Sequence, residues 1–551
     1  MTTLEGESRT LIDDLLAEQQ QLTAVQRFSR RHDSGGLPAQ ERYYRALLPV
    51  EKPRFGEQYA FGVDLDACTG CKACVSACHS LNGLDEEEVW RNVGFIHGGD
   101  SDHAYQQTIT TACHHCADPA CLNGCPVKAY EKDEATGIVR HLDDQCIGCQ
   151  YCVLKCPYDV PKYSKKRGIV RKCDMCYNRL AANEAPACVQ ACPTGAISIR
   201  IVNKAELTAG IHPEDQLLPD TFTSDYTKPS TLYSTRKTIP ANARASDAFS
   251  LRIEHAHLPL ILMLVLTQLS AGLFAVLALI GILGTAPVFE ISKAPLALIA
   301  FAILNAGLAV SVLHLGRPLG AWRAFLGLRT SWMSREIFAF GIFAGAAAAC
   351  TVCCVWEPLS GLVPILRQVE LFIRPAAFAM PLAVFTAVLA LLGVYCSAMI
   401  YIDTQRPFWK RELTIPRFFG TTILLGGSGA ASILAWLNPA GQTDLIAFLL
   451  TGAALLRVAL FTWESQNFTA DLADTEELNH RSALTIWSLR RPVLWLFCAL
   501  SGGAVLASFI GGAHWRGAMI AFALSFGAHL VERYFYFTAV VAPRMPGGVA
   551  A

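Results

Sequence analysis

From about residue 258 the chain is written in long apolar runs separated by short charged connections, at about 258–284, 294–313, 337–356, 375–402, 418–437, 444–463, 492–512 and 517–541. Each run is long enough to cross a hydrocarbon core of about 30 Å as a helix. The pattern predicts an all-α bundle of about eight transmembrane helices with both ends on one side. Small residues interrupt the runs, GGSGAAS at 426–432 and AGAAAA at 344–349, as close helix packing in lipid favours. Before residue 250 the rhythm is that of soluble sequence. Leu11, Leu15, Leu16, Leu22 and Val25 predict a surface helix over 11–28, and the Pro-, Thr-, Ser- and Asp-rich stretch of about 203–250 shows no sustained period.

The domains expected are an N-terminal extension (1–57), a soluble α+β domain (58–202), a linker or tether (203–254) and a membrane bundle (255–544). A hydrophobic content of 52% and mean hydropathy of +0.32 suit a chain that partly meets lipid. A formal net charge of zero offers no field for nucleic acid. The first residues, MTTLEGESRTLIDDLL, read neither as a signal peptide nor as a twin-arginine leader, so no export signal of its own is expected.

The chemistry lies in cysteine. Sixteen of the 21 cysteines fall between Cys68 and Cys192 in four sets of four: CTGCKACVSAC (Cys68, Cys71, Cys74, Cys78), CHHCADPACLNGCP (Cys113, Cys116, Cys121, Cys125), CIGCQYCVLKCP (Cys146, Cys149, Cys152, Cys156) and Cys173, Cys176, Cys188, Cys192. Repeated CxxC spacing in a large chain points to metal rather than to a disulfide framework. Zinc needs two CxxC pairs but neither the third cysteine two residues on nor the proline after the fourth. Three closely spaced thiolates suit three irons of one cubane, and the fourth reaches a neighbouring cluster. Four runs predict four 4Fe-4S clusters in a ferredoxin-like domain.

From Cys68 to Ile199 the spacing, order and flanking residues resemble the iron-sulfur subunit of the dimethyl sulfoxide reductase family, which passes electrons between a molybdopterin catalytic subunit and the membrane. That resemblance implies the cluster ligands. One set is Cys68, Cys71, Cys74 and Cys192; the next is Cys78, Cys173, Cys176 and Cys188; the third is Cys113, Cys116, Cys121 and Cys156; the fourth is Cys125, Cys146, Cys149 and Cys152.

In the membrane half, HLGRPLGAWRAFLGLRTSWMSREI (314–337) connects the second and third runs, with His314 closing one helix and Glu336 opening the next. A quinol needs a group at that level to accept its protons as its electrons leave. Interfacial anchoring is the plainer use of such a segment. Together with MIYIDTQRPFWK (399–410) it resembles the membrane anchor subunit of the same family, in which the matching His and Glu belong to the quinol site; this implies His314 and Glu336 here, with Arg317, Arg335 and Trp332 as weaker candidates. Histidines on facing helices are not evident, so no haem is expected, and Arg457, His529, Glu532 and Arg533 are expected to form internal ion pairs.

Basic residues set the orientation. Twelve (Arg317, Arg323, Arg329, Arg335, Arg406, Lys410, Arg411, Arg417, Arg481, Arg490, Arg491, Arg544) lie on the side of the cluster domain, against four opposite (Lys293, Arg367, Arg374, Arg516), which predicts an inner-membrane protein with its iron-sulfur domain in the cytoplasm. The expected role is quinol oxidation feeding electrons through four clusters to a separate molybdopterin-containing catalytic subunit, with no terminal substrate reduction by this chain alone. Two alternatives stand beside it: an anchor of the polysulfide or nitrite reductase type, and a structural anchor fed by a soluble donor without a quinol site.

Overall fold

A computed structural model describes residues 41–209 and, apart from 210–217, 220, 222–223, 249, 284–285, 364–373, 438–442, 475–477, 511–513 and 543, the chain onward to 546, with a few isolated positions before 41. The helix expected over 11–28 falls largely outside the described residues.

The soluble half is built on short strands. β1 (Glu57–Asp64) is buried along nearly its whole length. It pairs antiparallel with β8 (Ile197–Asn203), in a register running from Glu57 opposite Asn203 to Val63 opposite Ile197, so the two ends of the cysteine region are stitched together. β2 (Asn92–Gly99) and β3 (Ala104–Thr111) form the longest hairpin. β4 (Tyr130–Lys132) pairs with β5 (Val139–His141), and β6 (Lys162–Ser164) with β7 (Ile169–Arg171). The stretch after residue 203 does more than tether. β9 (Leu232–Ser234) adds parallel to β1, and β10 (Arg244–Ala245) adds antiparallel to β2. Strands of three and two residues are too short to leave a period-2 signature.

Eight long helices follow among the described residues: α1 (Leu258–Ile282), α2 (Ala286–Val312), α3 (Trp332–Cys354), α4 (Ala379–Ile402), α5 (Arg411–Leu437), α6 (Thr443–Ala473), α7 (Arg491–Ile510) and α8 (Trp515–Thr538). The first seven contain stretches long and apolar enough to cross a membrane. α8 packs against α1, α5 and α7 but carries Arg516, Glu532 and Arg533, which dilute its hydropathy. The protein is thus a mixed α+β region followed by an integral-membrane bundle. α1 and α5 form its centre, and Gly272 faces Gly426 so closely that a methyl group on Gly272 would lie 2.7 Å from the Gly426 Cα. Helices without a hydrophobic drive to associate in lipid gain most from such backbone approach.

Candidate functional site

The four CxxC turns share one backbone device. Their second intervening residue, Gly70, His115, Gly148 and Met175, has φ of +73°, +42°, +69° and +58°. This left-handed step curls each loop so that successive sulfurs face inward. Backbone N–H groups donate to sulfur at Cys125 (from Ala129, 3.2 Å), Cys146 (from Gly148, 3.4 Å) and Cys173 (from Met175, 3.4 Å).

The cysteines gather in quartets. Cys68, Cys71, Cys74 and Cys192 line one small cavity, and Cys113, Cys116, Cys121 and Cys156 line another. Cys78 lies near Cys188 and Cys176, and Cys173 near Cys78, Cys113 and Cys188, so this group adjoins the one that holds Cys113. Cys149 and Cys152 lie near Cys125 and Cys146. Among the described residues no group converges tightly enough for a single metal ion. A cubane holds its thiolates apart by its own irons, so a convergent single-ion site is not what it requires. The donor chemistry fits such a group: burial, then Cys188, pushes the Cys78 thiol up to about 12, and burial pushes Cys125, Cys156 and Cys176 up to about 11. Thiols held that high give up their protons readily only to a metal.

Two buried cations stand between quartets, and sequence reasoning missed both. Arg91, 2% exposed, lies by Cys188, Cys74, Cys173 and Cys78; burial opposes its charge, but these thiols outweigh it and hold its pKa above the usual value. Lys172 lies between Cys113, Cys121 and Cys173, its Nζ 3.6 Å from the Cys113 sulfur and donating to the Cys173 carbonyl at 2.8 Å. Its place directly before Cys173 was the available signal.

The quartet of Cys125, Cys146, Cys149 and Cys152 rests on the membrane half. Tyr151 sits within the core of the helix bundle, with Cys149 and Leu154 packed against that core. Leu315 packs on the apolar patch that includes Cys125, Ile147 and Cys152. The 314–334 connection reads the backbone of the cluster loops: Arg317 N–H donates to the Ile147 carbonyl (3.0 Å), the Arg317 and Arg323 guanidiniums to Asp143 and Asp144 carbonyls (2.7 and 2.8 Å), and Ser331 Oγ to the Gly124 carbonyl (2.7 Å). A methyl group on Gly327 would lie 2.8 Å from the Cys125 carbonyl and the Pro126 Cα. After α4, Arg406 donates to the Leu154 and Val153 carbonyls (3.2 and 3.3 Å). Asp403 accepts from Lys155 Nζ at 2.6 Å and from Tyr151 OH at 3.1 Å, while its carbonyl accepts from Tyr226 at 2.8 Å.

His314 and Glu336 flank this docking segment. His314 Nδ1 meets the Ser311 carbonyl, while its Nε2 is buried without a protein partner. Burial holds His314 below its ordinary pKa. Its neighbour His257 is pushed down to about 4 by burial, then by His255, His314 and Arg406. Glu336 is buried on α3, and burial, Asp403 and then Tyr226 and Glu336 hold the Tyr151 phenol well above its usual pKa. Glu336 therefore neighbours the cluster-loop tyrosine and His314 neighbours His257; no hydrogen bond joins Glu336 to His314 among the described residues. Arg317 docks the cluster loop, whereas Arg335 donates to the Leu328 and Arg329 carbonyls and lies over Trp332, bracing the connection.

The polar groups deeper in the bundle take mixed partners, and Arg533 with Glu532 is the close ion pair among Arg457, His529, Glu532 and Arg533. Arg533 bonds Glu532, Gln268 Oε1 (3.1 Å) and Thr421 (3.2 Å), and Arg457 donates to Ser501 at 2.7 Å. His529 Nδ1 meets the Ser525 carbonyl at 2.8 Å.

Fold and site together define an iron-sulfur protein joined in one polypeptide to its own membrane anchor. Residues 105–201 match the family described as a 4Fe-4S dicluster domain, and residues 253–538 match the DMSO reductase anchor subunit (DmsC). The protein is 37% identical over 190 residues to the B subunit of the anaerobic dimethyl sulfoxide reductase of Haemophilus influenzae, covering 33% of this chain and 91% of that one. It is 39% identical over 148 residues to YnfG of Escherichia coli, a probable anaerobic dimethyl sulfoxide reductase subunit (25% and 72%), and 36% identical over 169 residues to the formate dehydrogenase-O iron-sulfur subunit of Escherichia coli (27% and 56%). The chain belongs to the dimethyl sulfoxide reductase family, as a fusion of its iron-sulfur electron-transfer subunit with its membrane anchor.

Proposed function

We propose that this chain oxidises quinol in the membrane and conducts the electrons to a separate molybdopterin-containing catalytic subunit, itself reducing no terminal substrate. Sixteen of its 21 cysteines hold four 4Fe-4S clusters in the quartets described above. When bound, these clusters supply a one-electron relay between a two-electron donor and the partner. The observation that carries the reading is the seating of the Cys125, Cys146, Cys149 and Cys152 quartet on the 314–334 connection and the end of α4. An electron donor held in the membrane at that level has protein, not water, between it and the nearest quartet.

Quinol oxidation releases two protons with two electrons. Glu336, buried beside Tyr151, accepts one proton, and His314 Nε2, which has no hydrogen-bond partner, orients a quinol hydroxyl or accepts the other. All eight long helices cross the membrane, α8 holding Arg533 against α5 and α1. The cluster domain lies on the cytoplasmic face, where basic connections are retained.

Glu336→Gln and His314→Ala membranes test the site. Each is expected to slow quinol oxidation by roughly 10²-fold or more, the usual contribution of a positioned proton acceptor. Unchanged oxidation in both favours a soluble donor. Iron and sulfide analysis of anaerobically purified protein tests the clusters, with about sixteen irons per chain expected.

A further inference from the structure

A second chamber lies at the cluster-facing end of the bundle, away from the 314–336 connection. It occupies about 330 Å³ between α5, α6, α7, α8 and the segment Thr485–Leu489. That segment is one turn of π-helix, and such turns are frequent at functional sites. Trp487 and Trp495 form its rim and are 40% and 59% exposed, so it opens sideways toward lipid. Phe408 in its wall follows Arg406, which is bonded to the cluster loop, and this fixes its depth at the membrane boundary.

Its polar groups are incompletely used. Arg417 Nε and Nη1 are buried without a hydrogen bond, the nearest carboxylate being Glu532 at 3.7 Å. Glu464 Oε2 is likewise buried without one, 3.9 Å from Arg457. Buried polar groups left without hydrogen bonds are costly unless a ligand supplies them. Among the described residues the wall carries one guanidinium, Arg417, against the carboxylates of Glu464, Asp471 and Glu532, which disfavours an anionic head group such as a phosphate. A ring that is flat and apolar, with one oxygen to accept from Arg417 and one hydroxyl to donate to Glu464, matches both demands.

We propose that this chamber binds the ring of a quinone or quinol at a site separate from His314 and Glu336. Tyr536 in its wall stacks on Trp409 at 5.5 Å, and Trp409 meets Tyr401 of α4 at 5.1 Å, so aromatic side chains lead from the chamber toward Asp403 and the docked cluster loop.

The test is photolabelling of the full chain in phosphatidylcholine nanodiscs with an azido-naphthoquinone bearing one isoprene unit. Label is expected on peptides covering 461–471 and 487–498. Ser465→Phe, which fills the chamber, removes that label, and Arg417→Gln and Glu464→Gln each lower it by about tenfold, the equivalent of one charge-assisted hydrogen bond. Glu336→Gln leaves it intact. Label absent from these peptides, label unchanged by Ser465→Phe, or a phospholipid held there that the naphthoquinone does not displace would each overturn the assignment. Label on these peptides but none on 314–336 would instead sink the His314–Glu336 reading and leave this one standing.

Discussion

Replacing Asp403 by Ala removes the carboxylate that ties α4 to the cluster loop. Lys155, its side chain 6% exposed, loses its counter-charge and keeps only the backbone carbonyl of residue 403 as an acceptor (3.1 Å), and Tyr151 loses one of its two acceptors. Breaking a buried ion pair from one side costs about 3–5 kcal/mol. Asp403 keeps 27% of its side-chain exposure, so water replaces part of the loss and about 2–3 kcal/mol is expected. Lys155 also has an escape: burial lowers its pKa and Asp403 opposes that, so without Asp403 the amine gives up its proton more easily, which limits the cost. The docked state should open roughly 30- to 150-fold more often. Hydrogen exchange in nanodiscs reads this at the amides of Val153 and Cys156, bonded to the Gln150 and Cys152 carbonyls. The β2–β3 hairpin serves as the internal control, since it lies in the cluster domain away from the dock. Exchange at 153–156 that stays within about threefold of wild type would refute the tie, and so would equal acceleration in the hairpin, which would mean global loosening. Adding Lys155→Met should recover at least about 1 kcal/mol, because no orphaned cation remains.

Three further outcomes follow from the same contacts. Gly327→Val should weaken the dock by about 1–3 kcal/mol, since its side chain would enter the space of the Cys125 carbonyl, and quinol-driven reduction measured by stopped flow should slow without change in iron content. Lys172→Met removes a buried cation beside Cys113, Cys121 and Cys173; a charge about 7 Å away at an effective dielectric near 20 is worth roughly 2 kcal/mol, so a one-electron potential in redox titration should fall by roughly 100 mV. His257 has a folded pKa of about 4, below its unfolded value, so its contribution to stability is complete above about pH 6.5 and is lost as pH falls toward 4. His257→Phe should flatten the acid limb of a thermal-unfolding profile by at most about 3 kcal/mol, and an unchanged limb would assign the dependence elsewhere.

The cysteine loops were legible because their chemistry is local: CTGC and CIGC place glycine where φ is +73° and +69°, and the spacing alone implies a curled loop. His115 and Met175 take the same conformation without glycine, so no residue type marks it there. The long helices were legible from apolar length, although α5 and α6 extend beyond their runs through Arg411–Arg417 and Glu464–Ala473. The dock was not legible. Its partners are mostly carbonyl oxygens, at Gly124, Asp143, Asp144, Ile147, Val153 and Leu154, and a backbone acceptor leaves no trace in side-chain identity. Arg317, Arg323 and Arg406, which belong to the basic set that predicts the orientation, also dock the cluster loops, a second role that the charge pattern does not reveal.

Fusion explains why the dock can be this polar. Two separate subunits must offset an association cost of about 4–15 kcal/mol before any contact counts, which ordinarily calls for a broad apolar interface. Here, among the described residues after β8, β9 and β10 return the chain to β1 and β2 before α1 begins at Leu258. The bundle is therefore delivered to the cluster loops as an intramolecular partner, at an effective concentration set by a chain already held at both sheets. Under that condition a few directed bonds to backbone carbonyls and one carboxylate suffice to fix position, and position is what the arrangement needs: the loops carrying Cys125, Cys146, Cys149 and Cys152 held against Leu315 and the end of α4.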